Sequence, residues 1–254
     1  MTEIVTHIAT SNADSVTVRG RDLVSDLMGK HGFTEVFYFL ICGRMPTRTE
    51  HRVLDLCLVT LMEHGFTPAS VITRLTQDAV PGEMQVAIAS GLLAVGSVFA
   101  GTMEGCSTLL REGIDAADPE AYCRDVVDAH KKAKRPVPGF GHAFHKPDDP
   151  RTPRLFAVAR EAGMEGRYIT LLETLGRAVD EAAGKHITIN ATGAIGALLL
   201  EIGIPSEASR GVAVVSRSAG LVGHVLEEQQ THSARAMTKA IKQAIPYREP
   251  NLGQ

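Results

Sequence analysis

The chain has 254 residues, 44% of them hydrophobic and 22% charged, and 26 Lys and Arg against 29 Asp and Glu leave a formal charge of -3. That composition excludes a disordered chain and is ample for a buried core. The near-balanced charge gives no basic face for nucleic acid or an acidic membrane surface, so neither is expected as a partner. Four cysteines (Cys42, Cys57, Cys106, Cys123) stand apart in apolar stretches without a C-x-x-C pair, as buried thiols of a reducing compartment do. The opening MTEIVTHIATSNAD has neither the basic nor the apolar region of a secretion signal, and a cytoplasmic location is expected.

Taken in chain order, Ser15 to Val18 reads as a short β stretch, followed by helices over Phe33 to Cys42 and Thr49 to Glu63. Gly65 ends the second, and Thr67 with Pro68 caps a third running to Asp78. A long helix is predicted from Glu83 to Arg111. Within it, Met84 to Met103 is twenty residues without a charge, long enough to span a bilayer. Glu83 and Glu104 close its ends, Gln85 and two serines interrupt it, and Gly91, Gly96, Gly101 and Gly105 recur near helical spacing, which suits a helix buried against another helix or subunit. Further helices are expected over Pro119 to Lys134, Thr152 to Ala162, Arg167 to Ala183, Thr192 to Ile202, Ser206 to Glu228 and Ser233 to Ala244, with a second β stretch at Ile187 to Ile189. Lys131, Lys132, Lys134 and Arg135 read as a solvated helix end, with anion binding as the alternative. The fold class is all-α with little or no strand, in one domain over residues 1–254.

The long irregular stretch Arg135 to Pro153, RPVPGFGHAFHKPDDPRTP, is the kind of Pro- and Gly-rich connection that carries function. In Pro138-Gly139-Phe140-Gly141-His142 the glycines permit close approach of backbone to a ligand and present His142 from a stiffened loop; a plain surface turn is the alternative. Lys146 and Arg151 add two cations, and an anionic ligand is the natural inference. His64 stands where one helix ends and the next begins, able to donate to or accept from a substrate oxygen, or simply to cap the helix. Lys185-His186-Ile187-Thr188-Ile189-Asn190-Ala191-Thr192-Gly193 leads a basic pair into a helix start whose free N–H groups suit an anion; the competing reading makes Asn190 or Thr192 the cap. Arg217 lies inside the apolar run Val212 to Val222 and needs a partner, a ligand or an intersubunit ion pair. No H-E-x-x-H and no G-x-S-x-G occurs, so neither a metal nor a serine hydrolase is expected.

These residues stand in an order that resembles the citrate synthase superfamily, in particular its short citryl-CoA lyase branch, which includes the lyase module of ATP-citrate lyase. Arg19-Gly20-Arg21-Asp22, Phe33-Thr34-Glu35-Val36, Arg44-Met45-Pro46-Thr47, Glu63-His64-Gly65, the Gly91 to Gly105 stretch, Gly139 to His142 with Lys146 and Asp149-Pro150-Arg151, and Val215 to Leu221 with His224 carry the likeness. The resemblance implies a helical, dimer-forming enzyme that cleaves or forms a carbon-carbon bond between an acyl-CoA and a keto acid such as oxaloacetate, with citryl-CoA as the leading substrate and no tightly bound cofactor. It implies His64 and His142 as catalytic groups, His142 accepting the proton of the substrate's tertiary hydroxyl. Arg151 and Arg217 would hold substrate carboxylates, and Gly139, Phe140, Gly141, Lys146 and Lys185 would lie along CoA. Two positions depart from the synthases: Phe99 replaces the enol-stabilising histidine, as the lyase branch tends to, and Thr192 stands where the aspartate base belongs. A condensing enzyme for another keto acid and a CoA-ester-binding protein without turnover are the alternatives.

Overall fold

The computed structural model describes residues 3–96, 101–164 and 166–250. Three short antiparallel strands open the chain, β1 (Ala9–Ser11), β2 (Val16–Val18) and β3 (Arg21–Asp22), with Thr10 opposite Thr17 and Val18 opposite Arg21. After a π-helical turn at Leu23–Leu27, eleven α-helices follow among the described residues: α1 (Phe33–Cys42), α2 (Arg48–Met62), α3 (Pro68–Ala79), α4 (Met84–Leu92), α5 (Gly101–Gly113), α6 (Pro119–Lys132), α7 (Arg151–Glu161), α8 (Arg167–Ala183), α9 (Ala191–Glu201), α10 (Ser209–Thr231) and α11 (Ser233–Ala244). Local chemistry explains their ends. Glu35 accepts the Gly32 N–H at 2.8 Å ahead of α1, Asp118 caps α6 through the Ala121 N–H at 2.9 Å, and His130, Lys131 and Lys132 sit on the negative end of α6.

The described chain divides into two compact units: residues up to Thr60 with Gly101–Arg210, and 61–96 with 211–250. In the first, α9 is the centre. Its residues Ala194, Ile195, Ala197, Leu198 and Leu199 are fully buried, so the helix is apolar all round and is covered by α5, α7 and α8. Each such leucine stabilises the fold by about 1.5–3 kcal/mol. In the second unit α3 packs on α4 and α11, and its buried face is polar: Ser70, Thr73, Arg74 and Gln77.

The expected helix from Glu83 to Arg111 is instead α4 and α5, with residues 93–96 outside any helix. Each half packs within a different unit, α4 on α3 and α5 on α9. Among the described residues no helix is long and apolar enough to cross a membrane. The expected strand at Ile187 to Ile189 reduces to a single bridge, and β1 lacks the β-branched run that announces a strand.

Candidate active site

The loop after α6 is tied to the segment before α9 by its backbone. The Gly141 N–H donates to Thr188 O at 2.8 Å, the Asn190 N–H to Gly139 O at 3.0 Å, and Phe140 faces Ile189 as an antiparallel bridge. The Asn190 side chain adds a tie, donating from Nδ2 to Gly141 O at 2.8 Å and capping α9 by accepting the Gly193 N–H at 3.0 Å. Gly139 makes the approach possible: its φ is +91°, and a Cβ there would lie 2.7 Å from Cys106 Sγ and 3.0 Å from Gly193 Cα. The close approach inferred for a ligand is thus made to α5 and α9. Phe140 likewise turns its ring toward Gly176 of α8. Burial pushes the Cys106 thiol up to about 12, which leaves it inert.

From this braced loop His142 accepts two backbone N–H groups at Nδ1, those of Phe144 and His145, each at 3.1 Å. A ring accepting at Nδ1 carries its proton, when neutral, on Nε2 and is a donor there. Asp149, wholly buried, takes Arg151 in a two-point grip, Nε at 2.9 Å and Nη2 at 2.8 Å, and also accepts the backbone N–H groups of Arg151 at 3.1 Å and Ala191 at 2.9 Å. Burial alone would raise its carboxyl, but Arg151 and the two N–H groups outweigh that and bring it to about 2. Asp149 is therefore a fixed anion and not a proton acceptor, and Arg151 keeps its Nη1 edge for another group. Asp148 is exposed and meets His186 Nε2 at 2.9 Å, while Asp180 meets His186 Nδ1 at 2.8 Å; the two carboxylates raise that histidine. Lys146 and Lys185 are exposed.

The start of α9 decides between its two readings in favour of the cap, which is Asn190. Ala191 N–H is taken by Asp149 and Gly193 N–H by Asn190, so those groups are not free for an anion. Thr192 Oγ1 donates to Asn190 Oδ1 at 2.7 Å and lies 3.0 Å from Thr102 Oγ1. With its one proton given to Asn190, the Thr192 hydroxyl accepts from Thr102.

In the second unit, His64 is exposed just past the end of α2. Glu63 Oε1 accepts the His64 N–H at 2.8 Å and the Gly65 N–H at 2.7 Å. Its Oε2 faces His224 Nε2 at 3.1 Å and Arg217 Nη1 at 3.6 Å, both on α10. The pair suggested for Arg217 is thus found within its own chain. Burial works to raise Glu63, and His224, the His64 N–H and Arg217 together lower it. Burial pulls Arg217 below the usual guanidinium value against the opposing effect of Glu63, and its Nη1 finds no hydrogen-bond acceptor among the described residues. The structure thus places His142, Arg151, Thr192 and the glycine loop in one unit and His64 with Arg217 in the other; Phe99 lies outside the described residues. Glu63 and Arg74 escaped the sequence reading as functional residues. The signal was the run of polar side chains at helical spacing, Ser70, Thr73, Arg74 and Gln77, on what proves to be the buried face of α3.

The family described as "Citrate synthase, C-terminal domain" matches residues 48–239. The citrate synthase of Deinococcus radiodurans is 28% identical over 199 residues, 76% of this chain and 52% of that protein. The citrate synthase of Haloferax volcanii is 25% identical over 198 residues, 76% of this chain and 51% of that protein. The chain thus spans about half the length of these curated relatives. Among solved structures, the citryl-CoA lyase of Hydrogenobacter thermophilus superposes with a TM-score of 0.87 at 28% identity, covering 99% of this chain and 96% of that one. The ATP citrate lyase of Methanosaeta concilii, in complex with (3S)-citryl-CoA, shares the fold with a TM-score of 0.81 at 20% identity, over 98% of this chain and 42% of that one. The chain belongs to the citrate synthase family.

Proposed function

We propose that the chain is a citryl-CoA lyase-type enzyme that splits a hydroxylated polycarboxylic CoA thioester, citryl-CoA first, into acetyl-CoA and oxaloacetate. The observation that carries this reading is the likeness to a citryl-CoA lyase over essentially the whole of both chains. The curated synthases are about half as long again as this chain.

In the reaction the bond between the acetyl α-carbon and the carbinol carbon breaks, its electrons form the thioester enolate, the hydroxyl loses its proton to leave the keto acid, and the enolate is protonated. His142 presents an Nε2–H donor to the substrate oxygen, where negative charge develops as the proton leaves. Accepting a proton at Nδ1 would release the Phe144 and His145 N–H groups, and the resemblance implies His64 as the second catalytic imidazole. Arg151, through Nη1, and Arg217 are suited to the substrate carboxylates. Lys146 and Lys185 supply exposed charge for the phosphates of CoA, with Gly139, Phe140 and Gly141 shaping the loop beside them. A second copy of the chain is the expected partner.

Thr192 leaves the enolate step without its usual base. Its hydroxyl is committed as a donor to Asn190 and cannot abstract a proton from acetyl-CoA, and loss of a proton-transfer group costs about 100- to 10,000-fold. That cost falls on the step in both directions, and in cleavage water is left to protonate the enolate. The same observation favours a second reading, a CoA-ester-binding protein without turnover. The test incubates purified protein with citryl-CoA and follows acetyl-CoA and oxaloacetate, with Thr192→Asp alongside. Cleavage by the wild type supports the lyase. Silence in the wild type with activity in Thr192→Asp overturns it in favour of binding. Deuterium exchange into the acetyl-CoA methyl group by the wild type would instead mark a condensing enzyme.

A further inference from the structure

Behind the His64 corner lies a continuous chain of ionic side chains. Arg74, 2% exposed on α3, donates from Nε to His224 Nδ1 at 2.8 Å. Its Nη1 donates to Glu228 Oε2 at 3.2 Å and Ser233 Oγ at 3.1 Å, its Nη2 to Glu227, and Phe66 lies under the guanidinium with its centroid 5.3 Å from Cζ. Glu228, 1% exposed, is itself held by Ser233 and by the Ala234 N–H at 2.8 Å. Burial works to raise its carboxyl, and these donors with Arg74 together lower it. Arg74 is therefore immobile in place and in charge.

An arginine donates and never accepts. The Arg74 bond therefore requires a lone pair on His224 Nδ1, which fixes the ring as neutral with its proton on Nε2, facing Glu63 Oε2. An imidazolium at this position would compete with Arg217 for the Glu63 charge; a neutral ring packed 3.1 Å from the carboxylate, its Nε2 outside hydrogen-bonding geometry, bounds the place of that carboxylate and leaves its charge to Arg217. At 3.6 Å Glu63 attracts the guanidinium without occupying the hydrogen-bonding geometry of Nη1. The other oxygen of the same carboxylate fixes the backbone at His64 and Gly65.

We propose that Glu63 is a positioning residue that sets His64 through one carboxylate oxygen and Arg217 through the other, and that Arg74 holds Glu63 in register through a neutral His224. The proposal rests on the reading of His64 and Arg217 as substrate-facing groups, and two measurements separate its failure from that one. In 15N spectra of the uniformly labelled full chain without ligand, His224 shows the Nε2–H tautomer at neutral pH, and Glu63→Gln moves the Arg217 Nε signal. A His224 that carries its proton on Nδ1, or an unmoved Arg217 signal, overturns the proposal whatever the substrate. In citryl-CoA cleavage, Glu63→Gln lowers kcat/KM by about 10- to 100-fold, chiefly through KM, with thermal stability unchanged because Glu63 is half exposed. Kinetics within about twofold of the wild type overturn it. Arg74→Lys, which keeps the charge but loses the Nε donor, frees the His224 tautomer and lowers kcat/KM without unfolding the chain. If the wild type proves inactive on citryl-CoA, the substrate reading fails and the spectra alone judge the positioning role.

Discussion

The two units each set a histidine on a corner, but they hold the corners by opposite means. Around His142 the ties are backbone hydrogen bonds and one buried carboxylate, Asp149, whose acceptors are filled by Arg151 and two N–H groups. Around His64 the ties run through side-chain charges, Arg74 to His224 to Glu63, and end on an arginine whose buried Nη1 has no acceptor among the described residues. A saturated network is rigid and indifferent to ligand, whereas an unsatisfied guanidinium waits for a carboxylate. The difference is one of means: backbone bonds and a filled carboxylate hold one corner, and side-chain charges hold the other. Substitutions in the two units should therefore fail differently.

The largest expected effect lies at His142. His142→Ala removes the donor at the substrate oxygen, and citryl-CoA cleavage should fall about 100- to 10,000-fold while the fold persists. Activity near that of the wild type in a coupled oxaloacetate assay would remove His142 from the chemistry. Asp149→Asn comes next and strikes stability as well. It keeps the shape but leaves Arg151 without its counter-charge, a loss of about 3 kcal/mol in urea unfolding. The pH dependence has a definite sign. The folded carboxyl sits at about 2 against an ordinary 3.8, so its contribution is complete above the ordinary value and disappears as pH falls through the folded one. Wild-type and variant stabilities should differ near neutrality and converge in that acid window; a constant gap would mean that Asp149 acts by packing and not by charge.

Why one half was more legible in the sequence than the other follows from the same contrast. Helices α1 and α8 were readable to the residue because Gly43, Gly166 and Gly184, all left-handed, punctuate the chain locally. The His142 loop was readable because Pro, Gly, His and Arg crowd into one stretch. Asp148 and Asp149 look alike in sequence, yet one is exposed on His186 and the other is sealed under Arg151, because only Asp149 reaches the N–H of Ala191, which lies 42 residues away. The Arg74 network was less legible still, its partners standing 150 to 159 residues on. The expected helix from Glu83 to Arg111 misled for a related reason: nothing local says that α4 and α5 belong to different units.

The smallest expected effect probes the ionic corner through packing alone. Gly220 of α10 sits where a Cβ would lie 2.1 Å from Met62 O and 2.8 Å from Glu63 Oε2. Gly220→Ala therefore forces α10 and the end of α2 apart, at a cost of about 1–3 kcal/mol in chemical denaturation. The methyl adds no charge and removes none. If the His64 corner works by the placement of one carboxylate, displacing that carboxylate should raise KM for citryl-CoA, by less than Glu63→Gln does, and leave kcat nearly unchanged. A fall in kcat at constant KM would place the burden on His64 itself and erase the distinction between a corner held by side-chain charges and one held by backbone bonds.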